Sequence, residues 1–294
     1  MAAVLGIGIA TIDIINDVDH YPHEDEELRA LSQQRCRGGN AANTLAVLGQ
    51  LGHRGQWCGV LTNDGDGQFV RDELAACGIG CDHARQLAHG RMPTSYITRN
   101  RANGSRTIVH YRELPELDYA CFAAIDLAAF DWLHAEGRNI DDTRRMLQRA
   151  AARRPQLPRS VEIEKPRPGI AALFPLADLL LFSRHYAQAT GERDGAAFLA
   201  RMHEQLPGID LVCGWGEHGA YAIDRDGRGH FQPACPPPQV VDTLGAGDTF
   251  NAAIIDGRLR GLALPQALAH GCRLAGQKCG VPGLRLPSTV EARA

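Results

Sequence analysis

Lysine is nearly missing from this 294-residue chain: Lys165 and Lys278 are the only two, and arginine carries the rest of the basic charge. With 34 acidic against 31 basic residues the net charge is -3 at pH 7. So even a balance argues against a nucleic-acid or membrane-surface partner, which would demand a basic excess. The pairs of a disulfide framework are lacking too. The nine cysteines lie singly from Cys36 to Cys279, their number is odd, and no C-x-x-C occurs. Free thiols and a reducing, cytoplasmic setting are therefore expected. Cys77, Cys81 and His83 do not complete a zinc set. Met1 to Ile9 has no basic start of a secretory signal, and no run of about 18 apolar residues suggests a membrane span. There is no G-x-x-x-x-G-K-[ST], which excludes a Walker-type NTPase. Gly6-x-Gly8 is followed by Thr11 where a dinucleotide fingerprint has glycine.

What is there reads as alternating structure. Val4 to Ile15 is apolar and β-branched, as in a buried strand. A polar stretch follows to Arg37, and the alternation through Glu27 to Ser32 predicts short exposed strands. Gly38-Gly39-Asn40 opens an Ala-rich helix that runs to Leu51 and stops at Gly52. Thr94 to Arg99 and Arg106 to Tyr111 flank Asn103-Gly104, a strong hairpin signal. From Asp131 onward strands and helices alternate, which implies parallel units with right-handed crossovers. The expected fold class is α/β: a doubly wound, mostly parallel sheet flanked by helices, with a small β-sheet lid. It forms a single domain over 1–294, with core segments 1–12, 38–91 and 119–294 and a lid from 13–37 and 92–118. Motifs at strand-to-helix turns deserve most weight, because open α/β sheets bind ligands at the carboxyl ends of their strands.

The strongest motif is Asp242-Thr243-Leu244-Gly245-Ala246-Gly247-Asp248-Thr249-Phe250. A β-like run, Gln239 to Val241, enters a turn of small residues, and a helix leaves it. Such a turn lets backbone N–H groups approach an anion at a helix N-terminus. Asp248 carries the wrong charge to bind phosphate but suits a general base for an attacking hydroxyl. Its competing role is that of an ordinary helix cap. Gly38-Gly39-Asn40-Ala41-Ala42-Asn43 sets two amides three residues apart near a helix start. Amides both donate and accept, as sugar hydroxyls require, although Gly-Gly-Asn is also a common turn. Asp13 is a carboxylate able to take two vicinal hydroxyls, or a solvated strand-end acid. Arg106 stands beside the hairpin, Lys165 follows Glu162-Ile163-Glu164, and Trp215-Gly216-Glu217-His218-Gly219 follows the strand before the phosphate turn.

Gly38-Gly39-Asn40 near the start, with Asp242-Thr243-x-Gly245-Ala246-Gly247-Asp248 near the end, resembles the ribokinase-like (PfkB) carbohydrate kinases. The agreement runs over nearly the whole chain and is tightest with family members that act on ketohexoses. It includes Tyr21 to Asp25, Leu31 to Gln33, Arg37 to Asn43, Arg106 to Val109, Glu136 to Asn139 and Ser160 to Arg167. Pro236 to Asp242 and Gly271 to Gly280 complete it. The resemblance implies Mg-ATP as donor (with ATP and Mg2+ as cofactors), phosphorylation of a ketohexose such as fructose at C1, and a homodimer with interlocked lids. It implies Asp248 as base, with Gly245, Ala246 and Gly247 as the anion hole. Asp13, Gly39, Asn40, Asn43 and Lys165 would hold the sugar, and Asp25 would reach the neighbouring subunit's sugar site. Arg106, Glu217, Gly219, Gly245, Gly247 and Cys279 would surround the nucleotide. Potassium activation would fall to Asp242 and Thr243. The chain departs from the family at Ser105, at Gly216 and His218, and in lacking a clear N-x-x-E near Ser183 to Tyr186. Other readings are a kinase for ribose, a deoxy-sugar acid or a nucleoside such as adenosine, and a catalytically silent sugar sensor. An acidic sugar is disfavoured by repulsion from Asp13.

Overall fold

The computed structural model describes residues 1–286. The first third of the chain forms strands β1 (Ala3–Ile7), β2 (Thr11–Val18) and β3 (Ser32–Gly38), helix α1 (Asn40–Gln50), strands β4 (Arg54–Cys58) and β5 (Val60–Thr62), and helix α2 (Gly65–Ala76). Four short strands follow: β6 (Ile79–Gly80), β7 (Arg85–Leu87), β8 (Thr94–Asn100) and β9 (Arg106–Tyr111). After α3 (Tyr119–Ala123) come β10 (Trp132–Glu136), α4 (Ile140–Arg153), β11 (Arg159–Ile163), β12 (Leu179–Ser183), α5 (Arg184–Ala189) and α6 (Gly195–Gln205). The last elements are β13 (Asp210–Gly214), β14 (Ala220–Ile223), β15 (Gly229–Gln232), α7 (Ala246–Leu259) and α8 (Leu264–Cys279).

Nine strands make the main sheet, in the order β15-β14-β13-β12-β11-β10-β1-β4-β6. It is parallel from β6 to β13, and the antiparallel β14 and β15 extend one edge. Its strands β1, β12 and β13 are largely apolar runs, as helices covering both faces require. The chain leaves β1 in one direction toward β4 and β6, and in the other from β10 to β13. The switch point therefore lies between β1 and β10, where such sheets bind ligands.

The apolar run Val4 to Ile15 is not one strand. It breaks at Gly8 to Ala10, and β2 joins a separate four-stranded sheet of order β3-β2-β8-β9. β2 and β8 pair in parallel, and the hairpin β8–β9 turns at Asn103-Gly104 as its dipeptide requires. Residues 27–31, expected to alternate as strand, form no regular element, and β3 begins only at Ser32. Gln239 to Val241 is not a strand either. Val240 and Val241 are exposed, and the chain is held instead by Val241 N–H donating to the Cys279 carbonyl at 2.8 Å.

Candidate active site

Two glycines let the switch point close. Gly39, at φ 104, precedes α1, and a Cβ there would lie 2.1 Å from the Ile9 carbonyl. A Cβ on Gly8 would lie 2.2 Å from Glu136 Oε1. That oxygen accepts from Ile9 N–H at 3.2 Å and Ala41 N–H at 2.9 Å. Glu136 thereby caps α1 from the neighbouring strand, since α1 has no side-chain cap of its own. Burial pushes its carboxyl up to about 7.

At the head of α7 the chain turns through Gly245 at φ 74, and the helix likewise starts without a side-chain cap. The first-turn N–H groups of such a helix have no intrahelical partner and so face whatever anion arrives. Asp248 is 8% exposed, and its Oδ2 accepts from Asn43 Nδ2 at 2.8 Å. Burial, offset in part by that bond, holds its carboxyl well above the usual range. Alongside it Glu162 Oε1 accepts from Asn40 Nδ2 at 3.2 Å and Asn251 Nδ2 at 3.1 Å. Burial and the Asp248 charge push Glu162 up as well.

The small sheet covers this cluster, and its register sets which side chains do so. Asp13, Ser95 and His110 lie abreast across β2, β8 and β9, and so do Asp17, Arg99 and Arg106. Thr11 Oγ1 donates to Asp13 Oδ1 at 2.7 Å, while burial raises the Asp13 carboxyl. Arg99 binds Asp17 at 2.6 and 3.0 Å and approaches Asp242 at 3.6 Å. Arg106 Nη1 donates to Thr243 Oγ1 at 3.2 Å. The sheet is thus tied to the turn that precedes α7.

Behind that turn a cleft of about 560 Å³ opens between the β12–β13 edge and α7–α8. Of the residues expected around the nucleotide, Arg106, Glu217, Gly219, Gly247 and Cys279 line it, as does Thr243, and Gly245 does not. Glu217 is held at its mouth by Arg184 at 2.9 Å. Asp13, Gly39, Asn40, Asn43 and Asp248 lie outside the cleft's lining but adjoin it: Asn40 bonds Glu162 on its wall, Asn43 bonds Asp248 beside Gly247, and Asp13 packs against Gly38, next to Gly39. Lys165 does not join them: it is exposed and pairs with Glu164 at 3.2 Å. Asp25 sits in an exposed turn at φ 62, and among the described residues no hydrogen bond or ion pair ties it to the site.

Asp242 does not offer potassium a free set of oxygens. Its carbonyl accepts from Lys278 Nζ at 2.6 Å, its Oδ2 lies 3.5 Å from the same amine, and its carboxylate also takes the N–H groups of Leu244 and Gly283. Lys278 is fully buried, so an ammonium already holds the place of a cation. These residues do not fit potassium in this arrangement.

The reading from sequence missed Arg37, Arg99, His110, Glu162 and Asn251 as parts of the site. For Glu162 the signal was present, an acid near the carboxyl end of a parallel strand. Asn251 stands three residues after Asp248 on the same helix, whereas Arg99 and His110 depend on register between strands far apart in sequence and Arg37 on its contact with Asn43.

A doubly wound sheet with a covering β sheet, an uncapped helix start beside a buried carboxylate and a cleft behind it defines a small-molecule phosphotransferase. The chain belongs to the pfkB family of carbohydrate kinases, which it matches over residues 1–291. Ketohexokinase of Mus musculus is 40% identical to it over 288 residues, covering 95% of this chain and 97% of that protein. The fold is that of ribokinase from Cryptococcus neoformans in complex with ADP, at a TM-score of 0.81, 20% identity and full coverage of both chains. Ribokinase of Arabidopsis thaliana complexed with ribose and ATP aligns at a TM-score of 0.77 and 21% identity, covering 96% of this chain and 94% of that one. The protein is an ATP-dependent sugar kinase. No helix among its described residues is long and apolar enough to cross a membrane.

Proposed function

We propose that the protein transfers the γ-phosphoryl group of Mg-ATP to the C1 hydroxyl of a ketohexose such as fructose, with Asp248 as general base. The observation that most supports this is the Asn43–Asp248 hydrogen bond at the head of α7. It occupies Oδ2, and among the described residues Oδ1 has no partner, so that oxygen is available to take the proton of an attacking hydroxyl. The sugar lies beneath the small sheet against Asp13, Asn40 and Gly39, and Lys165 and the partner copy's acidic turn close over it. ATP lies in the cleft with its γ-phosphate toward Gly245, Ala246 and Gly247; the Ala246 N–H donates to the Thr243 carbonyl at 3.3 Å, and the N–H groups of Gly245 and Gly247, unpartnered among the described residues, stabilise the charge that develops in transfer. Magnesium would come bound to the phosphates with waters of its own and would offset their charge. Glu162 Oε2, buried on the cleft wall without a hydrogen-bond partner among the described residues, would accept from one of those waters.

The expected result of an ADP-release assay across ketoses, aldoses, sugar acids and nucleosides is turnover with ketohexoses far above the rest. Highest activity with an aldose or a nucleoside would overturn the substrate, and no turnover with any of them would favour a sugar sensor.

The small sheet functions as a lid and dimer clasp. Alternation puts Tyr96, Val109 and Tyr111 on one face, opposite Asp13 and Arg99, and all three are at least half exposed. Apolar side chains so grouped on an edge hairpin call for a covering partner, here a second copy. Sedimentation equilibrium will give a dimer at micromolar protein, and Val109→Glu will shift it to monomer. A wild-type monomer would refute the clasp.

A further inference from the structure

Arg37 is a buried guanidinium without an acid. Only 7% of it is exposed, yet among the described residues no carboxylate lies within ion-pair distance. Its Nε has no hydrogen-bond partner among the described residues. What it does hold is Asn43: Arg37 Nη1 donates to Asn43 Oδ1 at 2.9 Å and reaches the Gly38 carbonyl at 3.5 Å. Leaving a charge in such a place is costly unless something answers it. The answer is one residue further on, where Asn43 Nδ2 donates to Asp248 Oδ2.

We infer that Arg37 is a positioning residue that acts through Asn43 on the base, fixing its orientation and favouring its ionised form. A guanidinium can only donate, so the amide oxygen of Asn43 must face it and the amide nitrogen must face Asp248. Without Arg37 the amide is free to turn over, setting an oxygen against the carboxylate and letting its side chain rotate away from the reacting hydroxyl. With both ends engaged, Asn43 serves the base rather than the sugar. This rests on Asp248 being the base, as proposed above.

Other charges face the relay. Cys36 on β3, and Glu73 and Cys77 on and beside α2, lie around Arg37. Glu164 after β11 and Asp13 on β2 raise Asp248 by repulsion, and Asp248 in turn raises Glu136 on β10 and Glu162 on β11. Arg37 is the cation within this acidic group that lowers Asp248. A base must be deprotonated to act, so losing the cation moves the acid limb of activity to higher pH.

The test is the pH profile of ADP release for Arg37→Met, Arg37→Gln and Arg37→Lys, with sugar KM and thermal unfolding alongside. Arg37→Met should move the acid limb of kcat/KM up by about 1 pH unit, the scale of an opposite charge removed near a carboxylate, and lower kcat at neutral pH roughly tenfold. Arg37→Gln keeps a donor for Asn43 but no charge. It should show the same shift of the limb with a smaller loss of kcat, and Arg37→Lys should keep the limb in place. Sugar KM should hold throughout. If Arg37→Met does not fold, the Gln and Lys variants decide. An acid limb unmoved in Arg37→Gln, or a KM that rises while kcat holds, would overturn the inference and leave the Asp248 assignment standing. Should the wild type release no ADP with any acceptor, the functional reading fails first. Carbon-13 titration of the Asp248 carboxyl then tests the link directly, an unchanged midpoint in Arg37→Gln refuting it.

Discussion

Replacing Asp248 by asparagine should lower kcat by about 10²–10⁴-fold, the usual cost of removing a general base. The amide preserves size and can still accept from Asn43, so sugar affinity and thermal stability should stay close to wild type. Asparagine caps a helix about as well as aspartate, so a capping role would leave kcat nearly intact. Turnover near the wild-type rate would therefore refute the base. The same carboxyl governs the pH dependence. Burial holds it above the ordinary range for an acid, so activity should fall on acidification well before a solvated carboxylate would protonate.

The second large effect concerns the far half of α7. Asp256 is fully buried and gathers three donors: His53 Nε2 and His270 Nε2, each at 2.8 Å, and Arg260 Nε at 2.9 Å. Ala2 N–H donates to His53 Nδ1 at 3.3 Å and Arg273 to His270 Nδ1 at 2.8 Å. Each ring accepts at Nδ1 and so donates from Nε2. One carboxylate thereby ties α7 to the α1–β4 turn and to α8. Asp256→Ala leaves two largely buried imidazole donors unanswered and frees the exposed Arg260, at a cost of about 1–3 kcal/mol for each imidazole. In a chain of this size that corresponds to a fall in Tm of roughly 10 °C, measurable by circular dichroism. A change of only a degree or two would show the cluster to be incidental. Burial raises this carboxyl, but the bonds from His270, His53 and Arg260 outweigh it and hold it far below the usual value. A depressed folded value adds stability that is present above the unfolded pKa of about 3.9. That contribution is lost as pH falls below it, so the wild type and Asp256→Ala should converge in strong acid.

Local chemistry made some of this legible. Gly-Ala-Gly before Asp248 announces a helix start open to an anion, and Asn103-Gly104 announces a hairpin, because each depends on residues adjacent in the chain. The strand–helix alternation after Asp131 carried the main sheet for the same reason. The break between β1 and β2 was hidden because Gly8 to Ala10 interrupts an apolar run only through Glu136, 128 residues beyond Gly8. Val240 and Val241 have strand-like composition, yet the Cys279 carbonyl fixes them in a loop. Arg37 looked like one more arginine in an arginine-rich chain. Only its burial and its hold on Asn43 set it apart, and neither is written in its neighbours.

The parallel pairing of β2 with β8 has a consequence for how the molecule assembles. Asp17 and Arg99, bonded across that pair, are 82 residues apart in sequence. Closing so long a loop is slow compared with making a hairpin or a helix. During synthesis β2 emerges early and finds only β3, while β8 and β9 arrive after α1, β4 and α2 have been made. The ribbon of β2 and β3 must wait half-made until the later hairpin docks alongside it. The covering sheet is on this account among the last parts of the molecule to take shape.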